Sequence, residues 1–332
     1  MKELLRKIIA EEPLSPEEIR GGFEAILRPE TRNSEIALFL SSLSTRGLDA
    51  DVLTEAARVL REHMTPVRLK SGAAVDTCGT GGDRSGSFNF STAAGLLVAA
   101  CGVPVAKHGN RAITSKSGSA DLLEALGIPI DLGPEAVADA IDTRHFGFMM
   151  APNYHPATQR VQQVRKQLDM VTVFNFLGPL LNPAGVRRQV VGVFAPGMRP
   201  ILGEALRRLG TERAWVVSSE SGLDELSPSG ATFVTEVTPE GLTEKVVRPE
   251  EAGLRASDPK FLAGKDAAHN AKLLEGIFAK TFFGPIRDGI VLNAAAALLV
   301  AGKVDDLKAA TVLAKDAIES GAALEILEKL HA

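Results

Sequence analysis

Cysteine is scarce in this 332-residue chain, limited to Cys78 and Cys101. Those two could pair only with each other, and no multi-cysteine spacing suggests a zinc site, so a reducing, cytoplasmic setting is expected. Positive charge is not in excess: a formal net charge of −4 and a pI near 5.9 argue against a nucleic-acid footprint over the whole chain. Long apolar runs are missing as well. Stretches such as 93–101 and 294–301 are too short to span a bilayer, and the charges within 1–10, followed by Glu11-Glu12, do not form a signal peptide. There is no repeat at solenoid period and no low-complexity tract. What remains, 45% hydrophobic and 23% charged residues over a length that exceeds a typical single core, describes a soluble globular protein of two domains.

The most informative stretch is Asp76-Thr77-Cys78-Gly79-Thr80-Gly81-Gly82-Asp83. A short β-prone run, 73–75, leads into it, and Asn89-Phe90-Ser91-Thr92 then opens an apolar helical run to Cys101. A strand, a glycine-rich turn and a helix start bring backbone N–H groups to a bound anion, and the helix N-terminus adds partial positive charge. Two common phosphate motifs are ruled out. Ser87-Phe88 stands where a P-loop needs Lys-Ser or Lys-Thr, and Arg84 occupies the third glycine's place in a dinucleotide fingerprint.

Residues 1–70 read as helices only. Ser15-Pro16-Glu17-Glu18 is a capping box with proline at the first helical position, and apolar spacing continues through 33–43 and 49–64, with Gly47 breaking between them. From residue 73, short β-prone runs (73–75, 103–106, 146–150, 190–194, 214–218) alternate with helical ones (91–101, 117–126, 134–143, 157–167, 201–209). A hairpin is expected at 233–247, then helices over 267–278, 287–301, 304–320 and 322–330. The expected fold is therefore α/β: a small all-helical N-terminal domain, residues 1–70, joined by some later helical segments, and a larger α/β domain, residues 71–332, with a mostly parallel central sheet and C-terminal helices.

A second loop, 105–119, packs Lys107, Arg111 and Lys116, His108 and four hydroxyls between a strand and a helix. At the carboxyl end of a strand it makes a second anion receiver, with Lys107 and Arg111 supplying charge. No Ser-His-Asp or Cys-His nucleophile pair stands out.

These motifs together resemble the anthranilate phosphoribosyltransferase family of tryptophan biosynthesis. The likeness runs through Lys107-His108-Gly109-Asn110-Arg111, Ser115 to Asp121, His155-Pro156, Arg165, Phe174 to Pro183 and Gly222-Leu223-Asp224-Glu225, and covers essentially the whole chain. The resemblance implies a helical domain joined to an α/β domain like that of the pyrimidine nucleoside phosphorylases, in a homodimer formed through the small domain. It implies transfer of the 5-phosphoribosyl group from phosphoribosyl pyrophosphate to the amine of anthranilate, with two Mg²⁺ per active site and neither nucleic acid nor membrane as partner. A nucleoside phosphorylase, or a nucleic-acid-binding relative of this fold, is the rival reading; the intact glycine loop and the acidic chain speak against the second.

Carried over residue by residue, the resemblance implies a phosphoribosyl pyrophosphate site built from Gly79, Gly82, Asp83, Ser87, Asn89, Phe90, Ser91 and Thr92 with Lys107, His108, Gly109, Asn110, Arg111, Ala112, Ile113, Thr114, Ser115 and Ser119. It implies an anthranilate site of Gly79, Asn110 and Arg165, with His108, His155 and Pro179 around the ring, and metal ligands Ser91, Asp224 and Glu225. Arginine suits a planar carboxylate, and Mg²⁺ is satisfied by one or two carboxylates, water and phosphate oxygens. Asp83 could order its loop, accept a ribose hydroxyl or reach metal through water. Pro179 is either an apolar wall or a rigid turn. Phe90 and Ile113 are positions where substitution is expected to be tolerated.

Overall fold

A computed structural model describes residues 1–70, 73–83, 85–112 and 116–331 of the chain. The N-terminal part is four helices, Lys2–Ile9, Pro16–Leu27, Asn33–Arg46 and Ala50–Glu62. The second begins where the capping box places it: the Ser15 hydroxyl accepts the Glu18 N–H at 3.2 Å, and the Glu18 carboxylate accepts the Ser15 N–H at 2.9 Å. Apolar residues at helical spacing turn inward, and Phe23 meets Phe39 edge-on at 5.3 Å.

The rest is built on one seven-stranded sheet: β1 (Val75–Gly79), β2 (Val105–Gly109), β3 (Phe146–Met150), β4 (Arg188–Gly192), β5 (Arg213–Ser219), β6 (Thr232–Thr238) and β7 (Gly241–Val247). Their spatial order is β3-β2-β1-β4-β5-β6-β7; the first five are parallel and the hairpin β6–β7 is antiparallel. The expected fold class is what the chain adopts.

Alternation along the strands divides the core. Val190, Trp215 and Val217 face a layer made by the helices Phe90–Ala100, Pro285–Val300, Leu307–Glu319 and Ala322–Leu330. Val191, Ala214 and Val216 face the helix Met198–Arg208 and, beyond it, the four N-terminal helices. The helix Gln159–Leu168 and the short helix Phe174–Leu177 join that second layer through Val161, Val164, Phe174 and Leu177. The helix Pro285–Val300 is buried from Gly289 to Val300, which accounts for a sequence apolar on every side.

The strands differ from the sequence expectation in one way that matters. β1 and β2 start two residues late and run into the motifs, so Asp76, Thr77 and Cys78, and likewise Lys107 and His108, lie in the sheet rather than in loops. Polar side chains sit there because each finds a partner. Asn182 donates to the Asp76 carboxylate at 2.8 Å, and the Thr77 hydroxyl donates to the Ser91 carbonyl at 2.8 Å.

Candidate active site

Chain order reverses at β1 and β4, the strands between which an open α/β sheet places its ligand crevice. Gly79 and Gly192 end those strands in register. The chain leaving β1 stays on β4, with the Thr80 N–H donating to the Gly192 carbonyl at 2.9 Å. It then turns through Gly81 and Gly82 at φ of 62° and 88°, values that favour glycine.

Asp224 is set between the two strand ends. A Cβ on Gly192 would fall 1.5 Å from the Asp224 carbonyl oxygen, and one on Gly79 would fall 2.7 Å from its carboxylate. The same carboxylate accepts the Gly81 N–H at 2.9 Å. Glu225 reaches the start of the helix Phe90–Ala100 and accepts the Ser91 N–H at 3.2 Å. Burial pushes Asp224 up to about 7, with the Asp83 charge adding to the shift and the Gly81 N–H opposing it. Glu225 is pushed up for the same first reason, then by Asp224, against the pull of Lys107.

The glycine loop is ordered from within. The Asp83 carboxylate accepts the Ser85 N–H at 3.2 Å and the Ser85 hydroxyl at 2.5 Å, and the Ser85 hydroxyl accepts the Ser87 N–H at 3.1 Å. Gly82 rests against Phe194. The Asn89 amide donates to the Ser117 carbonyl at 2.9 Å, so it ties the first loop to the second. Thr92 is buried in the first turn of the helix.

Several expected site residues are placed differently. Phe90 is fully buried and packs against Phe88 and Gly289, and its N–H donates to the Phe88 carbonyl. It therefore has neither ring nor N–H to offer a ligand, and it is no tolerant position. Lys107 is 2% exposed and donates to the Thr77 carbonyl, so it is a buried counter-charge rather than an open phosphate grip. Arg111 is clamped by Glu124 at 2.7 and 2.9 Å and by Asp121 at 3.1 Å, which directs its charge to the following helix. Ser119 is turned back on Asn110, accepting its N–H and donating to its carbonyl; a Cβ at Gly109 would strike that hydroxyl at 2.2 Å. Asp121 collects the Ala112 and Gly118 N–H groups at 2.9 and 2.8 Å. That role was legible only as an acidic residue three positions after Gly118. Ile113, Thr114 and Ser115 lie outside the described residues.

A second group of residues flanks β2. His108 Nδ1 lies 3.2 Å from the Gly178 carbonyl and its Nε2 lies 3.3 Å from His155 Nε2. Burial pushes His108 down to about 3, assisted by His155, and pushes His155 down to about 4, so both rings are neutral near pH 7. Pro179 is buried in the adjoining turn, its carbonyl accepting from Gln189 at 2.9 Å. Arg165 sits on the helix Gln159–Leu168, donates to Gln162 at 2.8 Å and to Asn175 at 3.3 Å, and lies over the Phe174 ring. Its Nε is buried without a partner among the described residues, and burial lowers its pKa to about 10, which leaves it charged. A buried guanidinium with one N–H unsatisfied is a receiver for an anion.

Among the described residues no three His, Cys, Asp or Glu side chains gather into a metal cage, and no helix is long and apolar enough to cross a membrane. The buried Asp224 and the half-buried Glu225 beside it fit a divalent ion that completes its shell with water and substrate oxygens.

Comparison with known proteins agrees over the full length. Residues 71–324 match the model of the glycosyl transferase family a/b domain, and residues 2–64 match that of its helical bundle domain. The anthranilate phosphoribosyltransferase of Rubrobacter xylanophilus is 46% identical over 99% of this chain and 96% of its own; that of Rhodopseudomonas palustris is 44% identical over 100% and 97%. Among solved structures, the anthranilate phosphoribosyltransferase of Thermus thermophilus superposes with a TM-score of 0.93 at 41% identity, covering 99% of this chain and 98% of that one. The Saccharomyces cerevisiae enzyme in complex with phosphoribosyl pyrophosphate and Mg superposes at 0.89 with 28% identity, covering 98% and 95%.

Proposed function

The chain belongs to the anthranilate phosphoribosyltransferase family, and from that premise we propose that the β1–β4 crevice is where 5-phosphoribosyl passes from phosphoribosyl pyrophosphate to the amine of anthranilate, with release of pyrophosphate. The observation that carries this reading is the seat of Asp224 and Glu225, one carboxylate held by the glycine loop and the other by the N-terminus of the helix Phe90–Ala100.

Charge governs the chemistry. Cleavage at the anomeric carbon leaves oxocarbenium character on the ribose and negative charge on the departing pyrophosphate. Mg²⁺, bound by the relative from Saccharomyces cerevisiae together with phosphoribosyl pyrophosphate, supplies cationic stabilisation of that charge when present. Asp224, Glu225 and the Ser91 hydroxyl are its ligands in this proposal, with two ions per site. The chain's own part is to bind and orient. Loop N–H groups around Gly82 and the Ser87 hydroxyl donate to phosphate oxygens, and Lys107, spent on Thr77, contributes through its field rather than by contact. The aromatic amine is neutral at about pH 7 and needs placement more than deprotonation. Arg165 provides it by gripping the anthranilate carboxylate, with Asn110, His108, His155 and Pro179 bounding the ring.

Residues 1–70, with the later helices that pack on them, form the smaller unit of this proposal and 71–332 the larger. The enzyme works in the cytoplasm as a homodimer through the small unit, a role for which exposed Ile9 and Leu38 on its helices are available.

Anthranilate fluorescence provides the test. Its loss in the presence of protein, phosphoribosyl pyrophosphate and Mg²⁺, and its persistence when either is omitted, is the expected result; persistence in the complete mixture overturns the proposal. Arg165→Ala is expected to raise the KM for anthranilate at least tenfold, the scale of one lost charge-assisted hydrogen bond, with little change for the sugar donor. Equal effects on both substrates would make Arg165 structural.

A further inference from the structure

Asn270 lies in none of the glycine, lysine or acidic motifs, yet it is 1% exposed beneath the crevice, on the helix Ala267–Phe278. Its Oδ1 accepts the Lys265 N–H at 2.9 Å. A backbone N–H can only donate, so the Asn270 amide is fixed with its Nδ2 outward. That Nδ2 donates to Asn89 Oδ1 at 3.0 Å, with the Lys265 carbonyl at 3.3 Å as a second acceptor. Asn89 is thereby oriented in turn, and its own Nδ2 donates to the Ser117 carbonyl, which can only accept. The run from Lys265 N–H to Ser117 carbonyl therefore has one direction, imposed at both ends.

The same segment is fastened to the glycine loop by its backbone. The Phe88 N–H donates to the Leu262 carbonyl at 3.0 Å, the Gly264 N–H donates to the Gly86 carbonyl at 2.9 Å, and Ser87 and Ala263 form an isolated antiparallel bridge. A Cβ on Gly264 would fall 2.8 Å from the Ser87 carbonyl oxygen and 2.9 Å from the Phe88 Cα, so only glycine allows this approach.

We propose that Asn270 is a positioning residue for the phosphoribosyl pyrophosphate site: through Asn89 it fixes the spacing between the two anion-receiving loops. This rests on the site reading above. Because the sugar donor is held between those loops and anthranilate is gripped by Arg165, the effect falls on one substrate. Asn270→Asp keeps the size and the acceptor for Lys265 but replaces the outward donor with an oxygen. Asn89 cannot answer by flipping its amide, because it would then set an oxygen against the Ser117 carbonyl.

The experiment is a kinetic cycle of Asn270→Asp and Asn89→Ala, singly and together, with thermal unfolding as the check of folding. The expected result is a rise of roughly tenfold in the KM for phosphoribosyl pyrophosphate in Asn270→Asp, the fold-change of about one net hydrogen bond, an unchanged KM for anthranilate, and no further rise when Asn89→Ala is added. An unchanged donor KM, equal rises for both substrates, or fully additive effects would overturn the proposal. If Asn270→Asp does not fold, Asn270→Ala enters the same cycle and is judged by the same coupling. Absence of transfer in the unmutated protein would instead strike at the site reading itself.

Discussion

At the scale of single residues, the site depends as much on missing atoms as on functional groups. Asp224 comes between the ends of β1 and β4 only because Gly79 and Gly192 carry no side chain there. Gly192 is the more demanding, since a methyl group would overlap a backbone oxygen that cannot rotate away. Gly192→Ala is therefore expected to shift the 222–226 segment, to lose most transferase activity and to destabilise by about 1–3 kcal/mol, the usual range for overpacking. Chemical denaturation and initial rates measure the two effects; a variant with native rates would show that the acidic pair does not need this seat. Arg165 illustrates the opposite case, a side chain whose buried Nε has no partner among the described residues, a feature that its helical position alone does not reveal.

At the scale of elements, the helix Phe90–Ala100 connects core and crevice. Its first turn meets Glu225 through Ser91, while Phe90 anchors it against Gly289 of the helix Pro285–Val300. Removing the ring by Phe90→Ala is expected to cost about 3–5 kcal/mol and to weaken phosphoribosyl pyrophosphate binding as the helix start loosens. Urea unfolding and the donor KM check this; a change below 1 kcal/mol would show that the anchor is dispensable. The order of elements was legible in the sequence because alternating β-prone and helical runs, the capping box at Ser15 and the hairpin break at 239–240 each have a local cause. The starts of β1 and β2 were not legible. Asp76, Thr77 and Lys107 look like loop residues until Asn182, the Ser91 carbonyl and the Thr77 carbonyl, distant in sequence, arrive to satisfy them. The pairing of Arg111 with Glu124, and the place of Asn270 beside Asn89, are hidden for the same reason: they exist only once the chain has folded.

At the scale of the whole molecule, Asp224 and Glu225 oppose folding whenever they are charged and without a cation. Their folded pKa values are raised, Asp224 to about 7, so the folded state holds protons that the unfolded chain has released. Stability is then fully present below about pH 4, the unfolded carboxyl range, and is lost as pH rises through about 7. Neutralising the pair by Asp224→Asn with Glu225→Gln keeps the shapes and the bonds from Gly81 and Ser91. It removes the penalty, because burial without charge costs less than burial with it. The double variant is accordingly expected to unfold at higher urea than the unmutated protein at pH 8, to match it near pH 4, and to have lost Mg²⁺-dependent transfer. Adding Mg²⁺ with phosphoribosyl pyrophosphate should raise the melting temperature of the unmutated protein at pH 8 and leave that of the variant nearly unchanged, since a ligand stabilises only the state that binds it. Parallel stability curves from pH 4 to 8, together with equal responses to the metal and donor, would mean that these two carboxylates neither strain the fold nor receive the cation.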